Sequence, residues 1–131
     1  MSLRFKKGTI LWSVGISAGF SAAHYIPGHP KCGRLHGHNY KVELHVEFNK
    51  LNEMGFVLDF GDLKSALNEI LKRLDHTLLN ESVSKDYQPP SAEKIAAYLY
   101  YEVKKSTDLR NFNIKVRVYE TPTSWAEYFE I

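Results

Sequence analysis

The chain has 131 residues, 44% of them hydrophobic and 13% aromatic, enough to bury a sizeable core, and is expected to form one domain over residues 1–131. Its formal net charge of +2 comes from both signs scattered along the sequence, and no basic run exceeds two residues, which excludes the basic stripe of a nucleic-acid binder. The N-terminus lacks the apolar core of a signal peptide and no apolar run approaches the roughly 18 residues that cross a membrane, so the expected compartment is the cytoplasm, with no membrane partner.

Residues 8 to 22 alternate in character: Trp12, Val14, Ile16, Ala18, Phe20 and Ala22 form an apolar even row, while Ser13, Gly15, Ser17 and Gly19 form a small, polar odd row. This is the pattern of a long strand with one buried face. The stretch from 20 to 40 then holds the only cysteine and four of the six histidines, and Pro27, Gly28, Pro30 and Gly33 mark a loop inside it. Residues 39 to 49 give a second strand, with Val42, Leu44, Val46 and Phe48 on one face and Lys41, Glu43, His45 and Glu47 on the other. The two strands are expected to pair antiparallel. His45 lies in the outward row and reads as solvated or as lining an assembly surface.

After a turn at Asn52 to Gly55, Asp59 can cap a helix over 60–74, in which Leu63, Leu67, Ile70, Leu71 and Leu74 make an apolar stripe. The helix runs into Asp75-His76 at its C-terminal edge, where the negative end of the macrodipole favours a protonated imidazole; a plain C-terminal cap is the other reading. Asn80 to Pro90 reads as loop. Ser91 is the N-cap of a second helix over 92–106, with Ala92, Ile95, Ala96, Leu99 and Val103 inward. Glu93 falls one short of the capping-box spacing and sits in the first turn, where it helps the dipole or serves a site. Residues 112 to 120 form a third strand and about 124 to 130 a fourth, after Pro122. Glu120 ends the core-facing row of Phe112, Ile114, Val116 and Val118, so its carboxylate must find donors or leave the core, as a rim residue or a ligand anchor. The order ββααββ predicts an α+β fold, a four-stranded antiparallel sheet with two helices on one face. On the other face Glu43 and Glu47 are placed to meet Lys115 and Arg117, and an oligomer could hide that face inside a barrel.

His36-Gly37-His38 puts two imidazoles on one side of an extended strand, where both can reach one ion, although the same pattern also suits two surface histidines. Parity favours the metal reading. His36 and His38 continue the even row of the second strand, and His24, 12 residues upstream of His36, continues the even row of the first, so all three fall on core-facing sides. Three neutral imidazoles suit zinc and leave a fourth position for water or substrate. Cys32, the sole cysteine, cannot form an intrachain disulfide; it is a reactive thiol or a small filler, and a Pro/Gly/Lys/Arg loop offers a filler little to pack against.

Phe-Ser-Ala-Ala-His at 20–24, Cys-Gly-Arg-Leu-His-Gly-His at 32–38, Leu-Asp-His at 74–76, Pro-Ser-Ala-Glu at 90–93 and Val-Tyr-Glu-Thr at 118–121 together resemble the 6-pyruvoyltetrahydropterin synthase superfamily over nearly the whole chain. The resemblance implies the tunnelling fold, in which trimers close a twelve-stranded barrel and stack into homohexamers with active sites between subunits. It implies zinc on His24, His36 and His38, proton transfer by Cys32 with Asp75 and His76, and a pterin anchored by Glu120, with Ser91 and Glu93 on the substrate-binding side. The three residues between Cys32 and His36 resemble the 6-carboxytetrahydropterin synthase branch of queuosine and archaeosine precursor synthesis. That branch turns 7,8-dihydroneopterin triphosphate into 6-carboxy-5,6,7,8-tetrahydropterin with loss of acetaldehyde and triphosphate; the 6-pyruvoyl branch eliminates triphosphate and keeps the side chain whole. A zinc hydrolase would leave Cys32 and Glu120 without a role, and a non-catalytic pterin-binding module would show no turnover.

Overall fold

The computed structural model describes residues 5–131; residues 1–4 of the expected domain lie outside them. The elements run β1 (Trp12–His24), β2 (His36–Phe48), α1 (Phe60–Leu71), α2 (Leu79–Ser82), α3 (Ala92–Ser106), β3 (Asn113–Thr121) and β4 (Ser124–Phe129), with short 3-10 turns at Lys85–Tyr87 and Leu109–Asn111. The strands form one antiparallel sheet in the order β1-β2-β3-β4, so the predicted α+β architecture holds and the sheet is open at both edges.

The even rows face the core. Ile16, Phe20 and Ala22 of β1, Tyr40, Val42, Leu44 and Val46 of β2, and Ile114, Val116 and Val118 of β3 are all buried, whereas Trp12, at the open end of its row, stays 43% exposed. α1 packs on β1 and α3 on β3 and β4, laying Leu63, Leu67, Ile70, Ile95, Leu99 and Val103 over that face. Each buried leucine or isoleucine contributes about 1.5–3 kcal/mol, and this apolar layer fixes which side of every strand is inside.

Strand ends differ from expectation in a way that matters for the site. β1 starts at Trp12 rather than 8 but runs on to His24, and β2 starts at His36 rather than 39, because the two pair without interruption from Trp12–Phe48 to His24–His36. α1 ends at Leu71, three residues early, as the chain tightens through Arg73 N–H to Ile70 O and Leu74 N–H to Leu71 O. Leu74 is buried all the same. In the segment read as loop, the Gln88 amide donates to the carbonyls of Leu79 and Val83, at 3.1 and 2.9 Å, and α2 forms there with Leu79 and Val83 buried. Asp59 and Ser91 cap α1 and α3 as expected, accepting from the amides of Asp62 and Lys94.

The uncovered odd face is a charge network. Lys115 meets Glu47 at 3.3 Å, and Arg117 reaches Glu127 at 3.2 Å and Glu43 at 4.0 Å while its guanidinium lies 3.8 Å from the centre of the Trp125 ring. His45 is half-buried here rather than fully solvated. Its Nε2 bonds Glu43 at 3.0 Å, and its ring approaches Gly15 so closely that a Cβ there would sit 3.1 Å from Nδ1. Among the described residues no helix is long and apolar enough to cross a membrane.

Candidate metal centre

The β1–β2 register assembles the site. It sets His24 opposite His36 and Ala22 opposite His38, and all three histidines share the face that carries the core. Their rings meet near edge-on, with centroids 4.6 Å apart for His24–His36, 4.9 Å for His36–His38 and 5.1 Å for His24–His38. One nitrogen from each lies within 4.8 Å of the others, a grouping able to hold a metal ion.

Hydrogen bonds decide what those nitrogens offer. His24 Nδ1–H donates to the Pro90 carbonyl at 2.8 Å, and His36 Nδ1–H donates to the Arg34 carbonyl at 2.6 Å. A carbonyl only accepts, so both protons sit on Nδ1 and each neutral ring turns an Nε2 lone pair inward. Those two Nε2 atoms are 3.0 Å apart, where facing lone pairs repel unless a cation lies between them. Imidazoles whose outer N–H groups are held by carbonyls form the supporting shell of metal-binding histidines, so the donor set fits a divalent ion. Burial lowers the pKa of His38, the Glu120 carboxylate opposes that, and His24 and His36 reinforce it; the net lowering favours a third lone pair.

Glu120 sits where the β3–β4 register slips between Tyr119 and Thr121, so it is spared pairing with β4, and it continues the even row of β3 that shares the histidines' face. Its Oε2 lies 3.5 Å from His24 Nε2 and 3.9 Å from His38 Nε2, beside the three-histidine cluster rather than on a distant rim. Tyr40 closes the inner wall. It stacks on Phe20 and meets His24 and His38 edge-on, and burial pushes its hydroxyl well above the ordinary tyrosine range.

Asp75 and His76 are not at a helix end. Asp75 Oδ1 accepts from Ser21 N–H at 2.8 Å, Oδ2 pairs with His76 Nδ1 at 2.9 Å, and His76 N–H donates to Ser21 O at 2.6 Å, clipping this turn to the free edge of β1. His76 adopts a left-handed backbone, φ 59°, to make both contacts. The expected macrodipole contact is therefore replaced by the contact of His76 Nδ1 with the Asp75 carboxylate. The Ser21 amide, and then His76, hold Asp75 below the usual carboxylate range. His76 and His38 line one cavity of about 500 Å³ together with Ser21, Asn39 and Thr77.

Other site candidates stand apart. Cys32 is half-buried in the loop before β2, and among the described residues no hydrogen bond joins it to Asp75, His76 or the three histidines. Ser91 has its hydroxyl committed to capping α3, and Glu93 is exposed in the first turn. Sequence reasoning missed the Pro90 and Arg34 carbonyls, which every residue type possesses. It also missed the wall formed by Tyr40, whose place in the even row beyond His38 was the available signal.

Residues 13–130 match the family model described as 6-pyruvoyl tetrahydropterin synthase. The chain is 36% identical over 127 residues to the 6-carboxy-5,6,7,8-tetrahydropterin synthase of Synechocystis, covering 91% of this chain and 94% of that protein. It is 39% identical over 117 residues to the Bacillus subtilis protein of the same name, covering 82% and 78%. An Archaeoglobus fulgidus protein provisionally given that name is 46% identical over 115 residues, covering 87% and 92%. Among solved structures, the 6-pyruvoyl tetrahydropterin synthase of Caenorhabditis elegans superposes with a TM-score of 0.81 at 23% identity, covering 94% of this chain and 98% of that one, a likeness of fold.

Removing His36 leaves two imidazoles, which chelate weakly, so His36→Ala should retain under about a tenth of the copurifying divalent metal found in the wild type. Elemental analysis of both proteins checks this; full occupancy in the variant would contradict the ligand set.

Because the folded pKa of Asp75 is depressed, its contribution is present above the unfolded value of about 3.9 and is lost as pH falls through the lower folded value. The Ser21 amide should thus stay protected from hydrogen exchange at about pH 4.5 and be released only below about pH 3.9. Asp75→Ala, which removes the accepting oxygen, should expose it at both pH values.

Proposed function

Because this chain belongs to the 6-pyruvoyl tetrahydropterin synthase family, we propose that it converts 7,8-dihydroneopterin triphosphate and one water into 6-carboxy-5,6,7,8-tetrahydropterin, acetaldehyde and triphosphate, the water supplying the second carboxyl oxygen as the side-chain carbon–carbon bond breaks. The observation that carries the choice of product is the identity of 36–39% to proteins named as 6-carboxytetrahydropterin synthases over most of the chain. The spacing of three residues between Cys32 and His36 points the same way.

His24, His36 and His38 would hold zinc, the ion that suits three neutral imidazoles with a fourth position open to substrate. Zinc bound there supplies Lewis acidity to a side-chain oxygen of the substrate, making the neighbouring C–H more acidic. Glu120 receives the pterin ring, its carboxylate accepting two ring N–H donors, and the nearness of that carboxylate to the histidine nitrogens supports a pose with the substrate side chain over them. Cys32 is the base that takes the side-chain proton. A free thiol of pKa near 8.5 is only about 3% ionised at pH 7, so the base needs a cation nearby, and His76 oriented by Asp75 is one candidate. His76 returns protons to the leaving fragments. Ser91 and Glu93 stand on the substrate side, next to Pro90, which braces His24.

The groups meet between chains in this reading. Cys32 and the Asp75–His76 pair sit on separate elements, the sheet is not closed, and the uncovered face is polar, which supports assembly of several copies of this chain; a cytoplasmic homohexamer of stacked trimers is the form that the family resemblance implies.

Incubation with dihydroneopterin triphosphate should yield 6-carboxytetrahydropterin by mass and acetaldehyde in a coupled alcohol dehydrogenase assay. Cys32→Ala should abolish both products and keep its zinc. Triphosphate release by the wild type without acetaldehyde would instead assign the 6-pyruvoyl product.

Glu120→Gln should weaken pterin binding about tenfold or more, a charge-assisted bond being worth about 1.5–3 kcal/mol, and leave zinc content unchanged. Equal loss of zinc would make Glu120 part of the metal centre itself.

A further inference from the structure

The loop that carries Cys32 is closed around one side chain, the imidazole of His29, which none of the roles above uses. Cys32 N–H donates to His29 Nδ1 at 2.8 Å, and Lys31 N–H donates to the same atom at 3.2 Å. A nitrogen that accepts two N–H groups bears no proton, so His29 carries its hydrogen on Nε2, the opposite tautomer to His24 and His36. Backbone bonds complete the ring: His29 N–H to Ile26 O at 3.2 Å, Gly33 N–H to His29 O at 2.9 Å, and Ile26 N–H to Cys32 O at 2.7 Å. Gly33 is required by this closure, since a Cβ there would lie 2.5 Å from the His29 carbonyl oxygen.

Cys32 is thus gripped on both sides, its carbonyl by the backbone of Ile26 and its amide by a side chain alone. The second grip is the one a substitution can remove. His29 is exposed, so losing its ring opens no hole in the core, whereas the thiol it orients is half-buried.

We propose that His29 is a positioning residue for the Cys32 thiol, acting through the bond from the Cys32 amide to Nδ1. The inference rests on the base role given to Cys32 above. Misplacement of a reacting group by about 1 Å can cost about 100-fold in rate, so a loop anchor remote from the substrate can govern turnover. Asparagine tests the idea, because its side-chain Oδ1 reaches the place of Nδ1 and accepts from the amide two or three residues on, as in an Asx turn.

The experiment compares wild type, His29→Ala and His29→Asn in the zinc-loaded full chain, following alkylation by iodoacetamide alongside kcat and KM. Cys32 is the only cysteine, so alkylation reports on it alone. In His29→Ala the freed thiol should alkylate several-fold faster, while kcat falls about tenfold or more and KM stays within about twofold. His29→Asn should restore both towards wild type. Unchanged alkylation in His29→Ala, or failure of asparagine to rescue, overturns the proposal. Cys32→Ala, assayed in parallel, separates the two readings: if it turns over normally, the base role fails, and the alkylation comparison alone still decides whether His29 positions the thiol.

Discussion

Two imidazole nitrogens facing each other at 3.0 Å, each with its proton pinned on the far side of its ring, are the constraint on which the site depends. Hydrogen bonds donated to carbonyls fix the tautomers, the tautomers turn lone pairs inward, and converging lone pairs suit a cation. The constraint is tertiary. The carbonyl that braces His24 belongs to Pro90, 66 residues away at the mouth of α3, while the one that braces His36 is local, from Arg34. A metal site built this way is stable only when α3 is docked, so the apolar layer that holds Ile95 and Leu99 against the sheet also sets the orientation of His24.

The sheet serves the site through its irregularities as much as through its regular ladder. Thirteen residues of unbroken pairing bring the histidines together at one end of β1–β2, and Glu120, next in the even row of β3, meets them where that strand slips out of register with β4. On the opposite side of β1, Asp75 and His76 occupy the free backbone groups of Ser21, and Ala23 N–H bonds Thr77 O at 2.9 Å. An edge strand that would otherwise be bare is partly covered there, and a titratable pair is fixed three residues from His24.

Much of this was legible from alternation. The parity of Ala22 and His24, and of His36, His38 and Tyr40, assigned the histidines to the core face without any fold in hand, because a strand has only two faces and the apolar rows named the inner one. Glu120 stood out for a similar reason, as a carboxylate ending an apolar row. What escaped notice depended on backbone atoms or on side chains acting across long separations. Neither the Pro90 carbonyl nor the pull of Ser21 on Asp75 has a sequence signature, and α2 forms in a loop-like stretch because Gln88 reaches back to bond two carbonyls. His29 lay in a segment dominated by turn formers, and only the closed ring of hydrogen bonds shows what its imidazole holds.

In the proposed mechanism His24, His36 and His38 would hold the ion while the Cys32 thiol stays off it and free for chemistry, and X-ray absorption at the zinc edge tests that division most directly. The zinc-loaded protein should show imidazole nitrogens at about 2.0–2.1 Å and no sulfur scatterer. A sulfur shell at about 2.3 Å would place Cys32 on the metal, and the division between ligands and base would be wrong.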